Sequence, residues 1–488
     1  MTEGKRQPIK YAPPPIDLPI YQNINPKDAS FIGRTNYEAG LEAKKFIFGL
    51  KREDRKRHLY IIGKNGTGKT KLLELLIRQD VAYQYGCCLF DPNGDLIESI
   101  LEFIPEERMH DVVLIDPTDY SHAVAFNPLA SVHPEIRHQT AQGFVEAMEK
   151  QFGASWTPRL EHVTRFSILA LLDYPEANLV GMMDLLTDTA YRARVIPHIQ
   201  DEMVARFWTH EFLDWQARFA EDTITPLLTK LEQLLASPLL HNIFVQTQNK
   251  IDMEDILENN KILLVNLSRS KLGEEGANFL GTLLLAKLYQ AAINRPQVPG
   301  KQRKDFYLYI DEFHGLVTNT FERFFAEARR YGVCNTVVNQ YTAQVSQRTK
   351  QLVLANSDTM IVFRVGGEDA EWLEGEMTPV FKAKDMINLG TQEFYIKMII
   401  DGNTNDPFSA DTLTVHAPAE GAVKNQIIAL NYEKYTTPAG QIIKRERRTT
   451  EPLVDIEEAT EEIEKETKQH KKEQTEESPD LDSLPIKE

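Results

Sequence analysis

Two short stretches have the residue types and spacing for phosphate chemistry. Residues 63–70 read Gly-Lys-Asn-Gly-Thr-Gly-Lys-Thr, the pattern of a phosphate-binding loop. Gly63, Gly66 and Gly68 carry no Cβ, so the backbone can close around phosphate oxygens. N–H groups at the start of a following helix would point at the anion. Lys69 would place a positive charge at the β/γ-phosphates, and the Thr70 hydroxyl is placed to ligate Mg²⁺. The expected nucleotide contacts are Gly63, Lys64, Asn65, Gly66, Thr67, Gly68, Lys69, Thr70 and Lys71, with ATP and Mg²⁺ as the ligands.

The second stretch is Asp311-Glu312, at the end of the apolar run Phe306–Ile310. An Asp at the carboxyl end of a strand stands where open α/β sheets bind ligands. Asp311 can help hold Mg²⁺. Glu312 can orient or deprotonate an attacking water, which marks hydrolysis rather than binding alone. Gln340 follows the next apolar run and can sense a γ-phosphate or place water. Arg329, beside Arg330, and Arg364, after residues 359–363, are candidates for an arginine that reaches a neighbouring subunit's phosphate.

These groups need strands to hold them. His58–Ile62 is a short apolar run ahead of the loop, and Lys71–Ile77 behind it has a helical apolar stripe. Cys87–Phe90, Val112–Ile115, Ile262–Leu267, Phe306–Ile310, Asn335–Val338 and Thr359–Phe363 read as further strands, with Phe394–Ile400 the last. Strands alternating with helices predict an α/β fold with a mainly parallel sheet. Residues 134–245 lack strand patterns and show helical spacing, so they read as an inserted all-α domain. The predicted α/β domain is therefore in two parts, 31–133 and 246–415. Residues 1–30 are proline-rich and read as an extended arm, 416–450 as an extension, and 451–488 as a disordered acidic tail. The charged run at 51–58, KREDRKRH, reads as a solvated turn.

The net charge is −17, of which the tail from Glu451 carries −9 (fourteen acidic against five basic residues). The remaining −8 gives no basic face of the kind that usually advertises nucleic-acid binding. Three cysteines, two of them adjacent, imply no disulfide framework and fit a reduced, cytoplasmic setting. The start is polar, without a signal peptide, and no apolar run is long enough to span a membrane.

The segments IIGKNGTGKT (61–70), LFDPNGDLIESIL (89–101), DVVLIDPTD (111–119) and ILLVNLSRSKLGEEGANFLG (262–281) belong to a wider pattern. With YIDEFHGL (309–316), FAEARRYGV (325–333), VNQYTAQV (338–345) and ANSDTMIVFRVGGEDAEWL (355–373), they resemble the FtsK/HerA superfamily of motor ATPases. Within it they look most like the soluble ATPase part of conjugative type IV coupling proteins, the TraD/TraG group. The resemblance implies a RecA-like nucleotide domain with an all-α insertion, ATP between the subunits of a homohexameric ring, and DNA in the pore. It implies that Lys69 and Thr70 act on phosphate and Mg²⁺, Asp311 and Glu312 on metal and water, and Gln340 as sensor. It puts a trans arginine at Arg329 or Arg364. Members of that group begin with membrane-spanning helices, which this sequence lacks. A motor acting on protein in secretion or pilus assembly, or a nucleotide-gated module that recruits secretion or DNA-processing partners, are the alternatives.

Overall fold

The computed structural model describes residues 9–37, 45–130, 132–295, 303–414 and 423–442. The basic spot at 444–448 and the acidic tail lie outside them. One compact unit, Met1–Ala439, holds both the sheet and the helical stretch.

Among the described residues, eleven strands form one large sheet. From edge to edge they are Ile47–Lys51, Ala29–Thr35, Phe408–Thr412, Glu393–Lys397, Thr359–Val362, Leu59–Ile62, Val333–Asn339, Phe306–Ile310, Gly86–Asp91, Ile262–Asn266 and Val112–Ile115. The seven from Thr359–Val362 onward run parallel. The first four join antiparallel to one another and to Thr359–Val362. The mainly parallel α/β sheet is thus present, with an antiparallel wing that the strand patterns above do not include. Phe394–Ile400 is not one last strand. The sheet strand stops at Lys397, Ile399–Ile400 pairs locally with Asn403–Thr404, and Phe408–Thr412 returns to the sheet.

Both faces of the sheet are buried. Tyr60, Ile62, Cys88, Phe90, Leu263, Leu308 and Ile310 face one apolar core, which extends into the helical stretch. Their chain neighbours Leu59, Ile61, Cys87, Leu89, Leu264, Tyr307 and Tyr309 face the other, beneath helices Lys69–Ala82 and Asp95–Leu101. Burial on both sides explains why these strands read as continuous apolar runs rather than alternating ones. Residues 134–245 carry helices and, among the described residues, no strand.

The sheet edges are closed by side chains and backbone, which removes unpaired strand groups from solvent. At one edge the Asn431 amide accepts from Leu114 N–H at 2.7 Å and donates to the Val112 carbonyl at 3.2 Å. At the other edge, Gly49 N–H donates to the Pro19 carbonyl at 3.0 Å. No described helix is long and apolar enough to cross a membrane.

The run at 51–58 is not a solvated turn. Arg52, Asp54, Arg55 and His58 are buried. Arg52 and Arg55 each bond the Asp80 carboxylate at 2.7 Å, near the end of helix Lys69–Ala82. Arg55 also lies over the Tyr307 ring, 3.9 Å from its centroid, and donates to the Tyr309 hydroxyl at 2.6 Å. A charged run defaults to the surface, but here a carboxylate more than twenty residues away on a buried helix face draws it inward.

Candidate nucleotide-hydrolysis site

The seven parallel strands end on one side of the sheet, and the expected phosphate-handling residues, Arg329 apart, follow from those ends. The loop after Leu59–Ile62 turns through Gly66 (φ +73°) and Gly68 (φ +124°) into helix Lys69–Ala82. Gly68 adopts a backbone that side chains rarely tolerate. A Cβ on Gly63 would lie 2.5 Å from the Cβ of Phe363, so this glycine permits close packing against the adjacent strand end. The loop is tied down on both flanks. Gly63 N–H donates to the Asn339 carbonyl at 3.4 Å, and Lys64 N–H to the Arg364 carbonyl at 2.9 Å. Gln392 N–H, from the antiparallel wing, reaches the Thr67 carbonyl at 2.9 Å.

Lys69 is buried, and its ammonium donates to the Gly63 and Lys64 carbonyls at 2.5 and 3.0 Å. Burial lowers its pKa, against the pull of Asp311 and Glu312. Thr70 and Lys71 are exposed, and the Lys71 ammonium pairs with Glu74 on the same helix at 2.8 Å.

Asp311 and Glu312 lie beside the loop. Burial, then Asp91, then Glu312 push the Asp311 carboxyl up to about 7, while Lys69 pulls it down. Asp91 ends the neighbouring strand Gly86–Asp91 and accepts from Asn93, Leu96 and Ile97 N–H groups, the last two at 3.0 and 3.2 Å. Glu312 has φ +48°, an uncommon conformation for a non-glycine residue. Its two carboxylate oxygens are taken separately, one by the Gln340 amide and one by the Arg269 guanidinium. Three carboxylates, Asp91, Asp311 and Glu312, against Lys69 and Arg269 leave local negative charge uncompensated, and oxygen donors of that kind suit a hard divalent cation. The oxygen donors of Asp311 and its neighbours therefore suit Mg²⁺.

The structure brings Lys69, Asp311, Glu312 and Gln340 together and sets Arg364 beside its own loop. Arg329 is elsewhere. It is exposed on the turn Ala328–Tyr331 that precedes strand Val333–Asn339, near His58, at the opposite end of the parallel strands. Two contributors were not assigned from sequence, Asp91 and Arg269. Both follow or end a parallel strand, and that position is the signal that could have found them.

A model of the type IV secretion-system coupling protein DNA-binding domain matches residues 47–377. Among solved structures, the bacterial conjugative coupling protein TrwBdeltaN70 in an unbound form is similar at 14% identity. That match covers 76% of this chain and 89% of the other, with a TM-score of 0.55. Plasmid coupling protein TrwB in complex with ADP and Mg²⁺ matches with the same identity, coverage and score. VirB4 of Thermoanaerobacter pseudethanolicus matches at 13% identity over 73% of this chain and 89% of that one, with a TM-score of 0.50. At these identities the likeness is one of fold. No curated protein matches the chain by sequence.

Proposed function

This chain belongs to the family of type IV secretion-system coupling proteins, and we propose that it is an ATP-hydrolysing ring motor that moves DNA. One observation carries the hydrolytic part. Lys69, Asp311 and the Gln340-held Glu312 meet at the carboxyl ends of adjacent parallel strands. The 63–70 loop would hold the triphosphate, with Lys69 moving from its own carbonyls to the β/γ-phosphates. Thr70 and Asp311 would hold Mg²⁺, which supplies charge neutralisation on the phosphates when bound. Glu312 would accept the proton of the attacking water, and Gln340 keeps that carboxylate aimed. TrwB has been solved with ADP and Mg²⁺ and with an ATP analogue, which supports these ligands here.

The position of Arg329 supports the ring reading. A residue at the far end of the strands cannot serve its own loop, but in a head-to-tail assembly it could reach the next subunit's loop. Arg364, beside its own loop, would act in cis. DNA as the cargo rests on the family's DNA-binding domain. The two halves around residues 134–245 would act as one nucleotide domain with a helical insertion.

The test is ATP turnover with and without DNA, measured across salt. DNA should stimulate turnover, most strongly at low salt, because phosphate contacts release counterions. Unstimulated turnover and no DNA binding at low salt would overturn the DNA reading and favour a protein cargo, to which the net charge of −17 is better suited. Lys69→Ala should abolish turnover.

A further inference from the structure

The segment after Glu312 is fastened from outside the sheet. Helix Arg137–Phe152 packs beside it and presents Glu146 and Lys150, one turn apart on the same face. The Lys150 ammonium donates to the carbonyls of His314 and Val317, both at 3.1 Å. Those carbonyls belong to the short turn Phe313–Leu316 and its exit. The Glu146 carboxylate, 2% exposed, accepts from Thr320 N–H at 2.7 Å, at the start of helix Asn319–Glu327.

The charges match the backbone they meet. A cation sits on the carbonyl end of one turn, and an anion on the N–H end of the next helix. The pair therefore spans the chain reversal at residues 314–320. Glu146 also accepts from the Gln142 amide at 2.9 Å, and its second neighbour, Arg323, is 3.5 Å away. Around Lys150 stand His314, Arg269 and Glu274. Arg269 is the residue that bonds Glu312.

We propose that Lys150 and Glu146 are positioning residues for Glu312, and that through them the helical stretch governs hydrolysis at the sheet. The proposal rests on the ATPase reading above. Glu312 holds a left-handed backbone conformation, and such conformations persist only where the surroundings fix them. The turn Phe313–Leu316 fixes it from the carboxyl side, and Lys150 fixes that turn. Helix Asn319–Glu327, whose first turn Glu146 holds beside the Thr318 cap, leads directly into the turn that carries Arg329. A shift of helix Arg137–Phe152 would therefore reach Glu312 and Arg329 together.

The experiment uses the full chain with Lys150→Met, which keeps the apolar stem and removes the donors. The kcat for ATP should fall about 10- to 100-fold, the scale of a misplaced catalytic group. KM and nucleotide affinity should stay within about twofold, because the loop is untouched. Lys150→Arg should restore most of the loss. Amides of residues 313–320 should exchange faster in Lys150→Met, while those of 63–71 should not. If Lys150→Met does not fold, Glu146→Gln, which keeps an acceptor but loses the charge, must show the same split between kcat and KM. A wild-type kcat in the variant overturns the clamp. So does a kcat loss matched by lost nucleotide affinity and faster exchange throughout the sheet. A wild-type chain that hydrolyses no ATP overturns the ATPase reading, and the positioning role falls with it.

Discussion

At the amino ends of the parallel strands, Asp80 meets two guanidiniums at 2.7 Å and shares its other oxygen with Arg55 and the Tyr309 hydroxyl. At the carboxyl ends, Asp311 faces two carboxylates and one lysine, and that lysine is occupied by its own loop's carbonyls. Both regions place charge at low exposure beneath the same helix, Lys69–Ala82. One is closed, with both guanidiniums bonded to a carboxylate inside the protein. The other is open: Asp91, Asp311 and Glu312 outnumber Lys69 and Arg269, and Lys69 is taken up by its own loop's carbonyls. Burial of charge is costly unless it is paired. Uncompensated charge of this kind is the mark of a candidate binding site.

If this contrast holds, substitutions at the two ends should split activity from stability. The largest effect belongs to the open end. Asp311→Asn should cut ATP turnover about 10³-fold, in the range of losing one preorganised electrostatic contact, while the chain stays folded. Steady-state hydrolysis with Mg²⁺ checks it, and turnover within a few fold of wild type would remove Asp311 from the site. The next effect belongs to the closed end. Asp80→Ala strands Arg52 and Arg55 without their carboxylate and should cost about 3–5 kcal/mol in urea or thermal unfolding. A loss below about 1 kcal/mol would mean that the two arginines reach water, and the closed end would not be closed.

The legibility of the two ends differs for a physical reason. The phosphate loop and Asp311-Glu312 are contiguous motifs that carry their chemistry in adjacent residues, so Lys69, Thr70, Asp311 and Glu312 stand out as candidates from the chain alone. Gln340 was placed by the rule that functional side chains follow strand ends. Asp91 and Arg269 obey the same rule but stand among ordinary-looking turns. Arg269 becomes meaningful only when the sheet order sets it against Glu312. The closed end was misread outright, because a run of five basic and two acidic residues followed by His58 has no local sign that Asp80 will bury it. The antiparallel wing was missed for a related reason. Ala29–Thr35 is buried at six of its seven positions, so it lacks the alternation that marks a strand with one wet face. Local motifs are readable, and pairings made by topology are not.

His58 extends the closed end by another route, since it is buried as a neutral ring rather than as an ion pair. Its Nδ1 accepts from Asn335 N–H at 3.1 Å, its ring lies 5.0 Å from that of Phe325, and burial lowers its pKa to about 4. Between about pH 6.5 and 4 the unfolded chain therefore binds a proton that the folded chain refuses. The sign follows: stability falls as pH drops through that window, by about 3 kcal/mol from this residue. His58→Asn keeps an acceptor and tolerates the left-handed backbone at φ +65°. Unfolding free energy followed from pH 7 to 4 should lose that part of its slope in the variant. An unchanged slope would mean that His58 is protonated in the fold and that the closed end admits an unmatched charge.

The smallest effect is the one that tests the contrast most directly. Without nucleotide or metal, Asp311 contributes repulsion with Asp91 and Glu312 and gains only Lys69 and the Glu312 N–H. Asp311→Asn removes that repulsion and keeps nearly the same shape. The apo chain should therefore become more stable by about 1 kcal/mol, the usual size of a gain when a functional site is neutralised. With ATP and Mg²⁺ present the order should reverse, because only the wild type gains the full binding energy of the metal nucleotide. Thermal unfolding in a chelator and then in Mg²⁺-ATP measures both. A variant less stable than wild type in the chelator would show that Asp311 is matched within the fold after all. The two strand ends would then differ in position but not in kind.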